Sequence, residues 1–352
     1  LQTDWPLFVA ARADDRQSRA RFAPVTTSLR IALLALVMTG ACRSNRVAPA
    51  GKVSLGIAIP SYVHAVAWIA DDKGLFAKHK IDARVQVMGG SAATMRGLLA
   101  NSIDVGLAGG DAVIKANLAG ADLVVVAGLV NRFYHRLIAR AEVKTPADLR
   151  GKKIGLAFLG GPQDMAVKYA LRKFGLGYGS DVKVLNLGKE FNRMAAMARG
   201  DIHATTSQTP VSRLAKLGFH VLADLPAWNV PFPYAVVVVK RSYLTKRRAT
   251  LVRFLAALCQ ASDSYRKDEA GSLRIIQNHL RGSDTEAAAH ERYRLAGPSM
   301  ISYPPVASTK AFANVVEFIG ARAAGKVDVK KLVDPSLVDE LIRAGRCGGK
   351  SP

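Results

Sequence analysis

Two stretches of this 352-residue chain echo each other at a spacing of 98 residues. Gly90 answers to Gly188, Leu99 to Met197, Gly106 to Ala204 and Gly120 to Gly218, so that "VQVMGGSAATMRGLLANSIDVGLAGGDAVIKANLAG" is followed by its counterpart "VLNLGKEFNRMAAMARGDIHATTSQTPVSRLAKLG". The period exceeds the roughly 20–50 residues of stacking solenoid units, and each copy is long enough to form a small α/β lobe. Two like lobes place a cleft between them.

Within each copy the pattern is strand, turn, helix. In the first, strands are predicted at 53–59, 83–88 and 104–108. They run into helices over 62–72 (ended by "KGLF"), from Ser91 to 101, and from Asp111 to 120, with "LVVVAGL" as a further strand. In the second, Thr145 and Pro146 start a helical turn. Strands at 152–158, 182–187 and 202–205 then lead into helices over 163–174, 190–199 and up to Gly218. Such alternation builds a mainly parallel sheet flanked by helices. The run "YAVVVVK" has no polar face and reads as a fully buried strand on which the chain crosses back. From 249 onward the apolar spacing is helical, and these helices are expected to pack on the first lobe. The fold class is therefore α/β in two lobes: a leader, signal peptide and linker at 1–50, lobe 1 at 51–135 and 233–346, lobe 2 at 136–232, and a frayed tail at 347–352.

Arg30 precedes an apolar run, 31–38, that is too short to span a bilayer and is followed by Thr39, Gly40, Ala41 and Cys42. This reads as an export signal. Small residues before a cysteine resemble a bacterial lipobox, which would make Cys42 the lipidated first residue of the mature chain; plain cleavage after Ala41 or Ala50 is the alternative. Export implies an oxidising compartment. Besides Cys42 there are only Cys259 and Cys347, which could pair, although the preferred reading is that Cys259 is a buried helix residue and Cys347 belongs to the tail.

The formal net charge of +23 invites a nucleic-acid reading. The excess is dispersed, apart from Lys240, Arg241, Lys246, Arg247 and Arg248, and no zinc-finger, RRM or KH signature accompanies it. This argues against nucleic acid as a partner; a basic surface facing anionic headgroups or an acidic partner is the modest reading, and a solvated face without a role is an equal one.

The segments "KGLFAKHKIDARVQVMGGS", "LLANSIDVGLAGGDAV", "TPADLRGKKIGLAF", "MARGDIHATTSQTPV" and "LVRFLAALCQAS", in this order and spacing, resemble the bacterial solute-binding proteins of ABC importers for nitrate, sulfonate, taurine and thiamine-precursor pyrimidines. The likeness covers roughly 52–280. It implies a two-lobe type II periplasmic-binding-protein fold, a small ligand in the cleft, no cofactor, and an inner-membrane ABC permease as partner for a monomer in the periplasm or lipid-anchored at the cell surface. The ligand is left open among sulfonate, nitrate, carboxylate and pyrimidine types. An enzyme on the same scaffold and a ligand-sensing lipoprotein are the alternatives.

In open parallel sheets, ligands gather beyond the carboxyl ends of the strands. The turns in that position hold Ser61 and Tyr62; Gly90 and Ser91; Gly109, Gly110 and Asp111; Gly160, Gly161 and Gln163; Lys189; and Ser207, Gln208 and Thr209. Each opens a helix, so free amides and the positive dipole end suit an anion or a polar oxygen. The same residue types are also ordinary turn and N-cap residues. Asp111 either caps its helix or faces the cleft, where it would repel an anion and accept from an amine. Tyr62, Trp68, Trp228 and Phe232 could stack on a flat ligand; Trp68 reads as core and Trp228 as an exposed loop residue. Arg132 could clamp a sulfonate or carboxylate, or be a surface charge. The seven histidines, His135 among them, show no tight metal spacing, no GxSxG elbow is present, and the Cys-rich motif of the pyrimidine-making eukaryotic branch is missing.

Overall fold

The computed structural model describes residues 51–281, 285–320 and 325–348. The leader, the cleavage positions and Cys42 lie outside these residues. Ten strands are found among them: β1 (Gly51–Ile57), β2 (Ile81–Val87), β3 (Val105–Ala108), β4 (Leu123–Arg132), β5 (Arg136–Arg140), β6 (Lys153–Leu156), β7 (Lys183–Asn186), β8 (Ala204–Ser207), β9 (Phe219–Asp224) and β10 (Pro231–Lys240). They form two sheets, ordered β2-β1-β3-β10-β4 and β7-β6-β8-β5-β9. In each sheet one strand has crossed over from the other half of the chain and lies antiparallel between its two neighbours, while the first three strands pair in parallel.

The crossing strand β10 is possible because its sequence has nothing to hydrate. Tyr234 through Val239 are all buried, between β3 on one side and β4 on the other. The facing stretch of β4 is equally apolar: Val124, Val125 and Val126 have no exposed surface. A strand buried on both faces reads as a continuous apolar run, and this one does.

Helices α1 (Val66–Asp72), α2 (Leu75–Lys78), α3 (Ser91–Leu99) and α4 (Gly110–Leu118) belong to the first lobe, and α5 (Pro162–Lys173), α6 (Glu190–Arg199) and α7 (Val211–Lys216) to the second. The "KGLF" segment does more than end α1. Gly74 takes a left-handed conformation (φ 65°), and Leu75 and Phe76 then open the single-turn α2, with Phe76 stacked 5.2 Å from Phe254. The C-terminal helices α8 (Arg241–Lys267), α9 (Glu269–His279), α10 (Glu286–Met300), α11 (Thr309–Ile319), α12 (Val329–Leu332) and α13 (Ser336–Arg343) pack on the first lobe, α8 against α1 and α2 and α11 against β10. Among the described residues no helix is long and apolar enough to cross a membrane.

The internal repeat is present, but its spacing is 99. Gly56 of β1 pairs with Gly106 of β3, and Gly155 of β6 with Thr205 of β8, each partner displaced by 99 positions. Burial explains the difference. Leu98 and Met197 are both fully buried helix residues facing their sheets, whereas Leu99, matched to Met197 in the sequence comparison, is 46% exposed. A shift of one residue turns a helix by about 100°, which moves a side chain off the buried face.

Cys259 and Cys347 correct the reading of the tail. Cys259 is indeed a buried residue of α8, but it is joined to Cys347 in a disulfide with a Cα–Cα separation of 5.7 Å, and Cys347 is itself buried. Its place after α13, which packs on α8 and β4, brings the two cysteines together. The bond closes a segment of 88 residues in sequence. Replacing both cysteines by serine is expected to cost about 2–4 kcal/mol of unfolding free energy, as for other native disulfides closing long loops. Urea unfolding of the oxidised chain against the double variant measures it, and equal midpoints would show that the bond contributes nothing.

Candidate functional site

The carboxyl ends of β1, β2 and β3 bring three predicted turns together in lobe 1. Ser91 Oγ accepts from Gly109 N (3.0 Å), so the second and third turns are tied to each other. Ser61 Oγ lies 2.8 Å from His64 Nδ1 in the first. Asp111, one residue into α4, is almost fully buried, with Oδ2 3.1 Å from Lys115 Nζ and Oδ1 buried without a hydrogen-bond partner. Burial raises its pKa against the pull of Lys115. A side-chain carbon placed on Gly109 would come within 2.6 Å of Asp111 Oδ1 and 3.3 Å of Pro162 at the start of α5, which puts this oxygen at the seam between the lobes. Lys115 also donates to the carbonyl of Gly160 in lobe 2.

Lobe 2 presents the matching turns. Gly160 N donates to Asp164 Oδ2 (2.8 Å), which holds the Gly160–Gly161 turn on the first turn of α5. Gln163 accepts from Ala157 N through Oε1 (3.2 Å), leaving its amide nitrogen 3.1 Å from His135 Nε2. Gln208 places its amide nitrogen 2.9 Å from the same atom, and the Tyr234 hydroxyl lies 3.4 Å away. An amide nitrogen can only donate, so Nε2 accepts and the proton sits on Nδ1, which is buried without a partner. His135 stands in the segment joining β4 to β5, and Tyr234 on the returning β10; the two crossings thus meet at this imidazole. Burial holds its pKa down to about 3, and that of His64 to about 4.

His135 and His64 were not among the site residues read from sequence. His64 follows Ser61 at a spacing of three, a local signal. His135 has only its setting, a polar break, "NRFYHR", between two apolar strands; Gln163, Gln208 and Tyr234 reach it from 28, 73 and 99 residues away.

The turn after β8 is already engaged by the protein's own carboxylates. Glu190, opening α6, accepts from the Ser207 hydroxyl and from Thr209 Oγ1 (2.9 Å). Burial pushes its pKa up, but the Ser207 and Thr209 hydroxyls with Arg292 and Arg193 outweigh this and hold it below the ordinary value. Arg193 is buried beneath the turn, donating to Thr205 Oγ1 (2.9 Å), Thr206 O (3.1 Å) and Gly188 O. From lobe 1, Glu291 on α10 accepts from Val211 N (2.9 Å) and Ser212 Oγ (3.0 Å) at the amino end of α7. Beside it a cavity of about 250 Å³ opens between the lobes, lined by Arg136, Gln208, Pro210, Arg292, Arg294 and Leu295 among others.

Other predicted residues lie elsewhere. Arg132 donates to Asn229 Oδ1 (2.8 Å) and Ser299 O, at the crossover between the lobes. Trp228 is half-buried against Phe174 and Tyr169 with Lys173 over its ring at 4.3 Å, so the exposed loop position expected for it is not found. Trp68 is core, stacked 4.7 Å from His279, and Phe232 is buried against Phe133 at 4.3 Å. Tyr62 is buried, its carbonyl accepting from the Tyr265 hydroxyl (2.9 Å). Gly90 (φ 128°) and Gly110 shape their turns, the latter pressed on Pro233 and Phe312. Lys189 is exposed at the start of α6. Among the described residues no three His, Cys, Asp or Glu side chains are placed to hold a metal ion.

The family model described as NMT1/THI5 like matches residues 61–269, more than half of the chain, and the chain belongs to that family. YtlA of Bacillus subtilis (strain 168), named as a candidate binding protein, is 26% identical over 246 residues, covering 68% of this chain and 70% of YtlA. The periplasmic aliphatic sulphonate binding protein SsuA of Escherichia coli has the same fold, with a TM-score of 0.68 at 21% identity over 82% of this chain and 99% of SsuA. The periplasmic nitrate-binding protein NrtA of Synechocystis PCC 6803 superposes with a TM-score of 0.68 at 16% identity over 84% of this chain and 90% of NrtA. The two-lobe periplasmic-binding-protein fold expected from the sequence is the fold observed.

The neutral histidines make stability depend on pH. Both protonate near 6.5 once unfolded but only near 3 and 4 when folded, so the unfolded chain binds more protons in between, and stability falls as pH drops below 6.5. Each imidazole accounts for about 2 kcal/mol between pH 7 and 4.5. Urea unfolding at the two pH values is expected to show a loss smaller by about that amount in His135→Gln than in the wild type; the same loss in both would place the titration elsewhere.

Proposed function

We propose that this chain is an exported substrate-binding protein of an ABC importer, which closes its lobes on a small polar or anionic molecule and presents it to a permease in the inner membrane. The observation that carries the reading is the convergence of Gln163, Gln208 and Tyr234 on His135 where the chain crosses between the lobes. Polar groups from two lobes that meet at a hinge change their spacing when the lobes move, and a ligand bound among them biases that movement. The fold shared with SsuA and NrtA and membership of the family support the same reading. In it the protein works outside the cytoplasmic membrane as a monomer, held there by lipid on Cys42, and does no chemistry on what it carries.

Ser61, Ser91, Asp111, Gln163, Gln208 and Thr209, with His135 and His64, are the residues proposed to line the site. Lys115, between Asp111 and the Gly160 carbonyl, and Glu291, on the amino end of α7, are proposed to hold the lobes together.

Native mass spectrometry of the purified chain is expected to release a small molecule, and solution scattering to show compaction when that molecule is added back to the emptied protein. Gln208→Ala is expected to weaken its binding about tenfold, the equivalent of about 1.4 kcal/mol for one hydrogen bond near the site. Binding without compaction would defeat the hinge mechanism, and conversion of the released molecule on incubation would favour an enzyme.

A further inference from the structure

Several of the hydroxyls and amides at and after the end of β8, groups that would hold an oxyanion in lobe 2, are already engaged. Ser207 and Thr209 hydroxyls donate to Glu190, Thr209 N to Ser207 Oγ (2.9 Å), and Val211 N and Ser212 Oγ to Glu291. Four of the nearby cations are engaged as well. Arg193 is fixed on two threonines and a carbonyl, Lys115 on Asp111 and Gly160, and Arg136 on Asp224 (3.1 Å), while Arg292 offsets the charge of Glu190. Across the seam, Asp111 Oδ1 and His135 Nδ1 are buried without partners, on residues no more than 3% exposed. A carboxyl oxygen and one ring N–H suit a neutral partner that both donates and accepts.

We infer that Glu190 is a specificity determinant that closes the lobe 2 turn to oxyanions, so that the ligand is a neutral molecule bearing N–H or O–H donors and an acceptor. This rests on the binding reading above and narrows it. The argument is electrostatic. An ionised carboxylate hydrogen-bonded to Ser207 and Thr209 occupies the place an incoming anion would take and repels it at close range in a low-dielectric cleft. With Glu190 removed, both hydroxyls are released and the charges of Arg193 and Arg292 are no longer offset.

The test is calorimetric titration of the full chain with sodium methanesulfonate and sodium nitrate. The wild type is expected to bind neither at millimolar concentration. Glu190→Ala is expected to bind at least one of them ten or more times more tightly than the wild type does, and Glu190→Gln, which removes the charge but can still accept from the hydroxyls, to gain less. If the alanine variant fails to fold, the glutamine variant against the wild type decides the matter by any gain of threefold or more. Millimolar or tighter binding by the wild type overturns the inference, as does a folded variant with no gain. An anion that binds the wild type and compacts it would overturn this inference while leaving the two-lobe binding reading intact; the latter fails separately, through binding of a ligand without compaction.

Discussion

Everything in this molecule depends on one strand having no need of water. β10 leaves the second half of the chain and inserts antiparallel between β3 and β4, with Val236, Val237, Val238 and Val239 fully buried. A single polar side chain there would need a partner that neither face offers. Because β10 is held so, and β5 is held in the same place in the second sheet, the chain passes between the lobes at fixed points, through the segments 133–135 and 225–230. The long α8 then covers the first lobe directly after β10, and the disulfide ties that helix to the chain end.

The candidate site is a product of the same crossings. His135 lies in one and Tyr234 near the start of the other strand, while the amide of Gln208 follows β8, which pairs with β5, and that of Gln163 comes from the first turn of α5. The imidazole is kept neutral by burial, which lets it accept from several donors without a charge to solvate. On either side the two lobes, related by the 99-residue offset, have diverged in a telling way. Thr94 of α3, fully buried, bonds the carbonyl of Gly90, while its counterpart Arg193 of α6 donates to Gly188 and to β8. Lobe 2 therefore carries a buried cation under its turn, balanced by Glu190, where lobe 1 carries a small hydroxyl.

Much of the fold was legible in the residues. Continuous valines marked the buried strands, Gly-rich turns followed by helical spacing marked the parallel units, and the echo between "MRGLLANSIDVG" and "MAAMARGDIHAT" marked the two lobes. Three points were not. Matching letters give an offset of 98 where the structure has 99, because they do not say which face of a helix is buried. Helical spacing near the end of the chain does not show that α13 packs on α8 and β4, which is the reason Cys347 is buried. Trp228 was read from its Pro-flanked loop as exposed, yet Tyr169 of α5 and Phe174 just beyond it cover the ring.

For the site, local sequence identified the turns, since small and hydroxylic residues before a helix are a local pattern. It could not show that the Ser207 and Thr209 hydroxyls face Glu190, 17 and 19 residues upstream, or that Glu291 reaches α7 from 80 residues away. By itself, then, the sequence determined the two α/β lobes, the buried crossing strand and the position of the turns, because apolar periodicity and turn chemistry act over a few residues. Only the tertiary structure decided which polar groups meet at His135, which are already bonded within the protein, and that the two cysteines join, because those outcomes depend on distances between segments far apart in the chain.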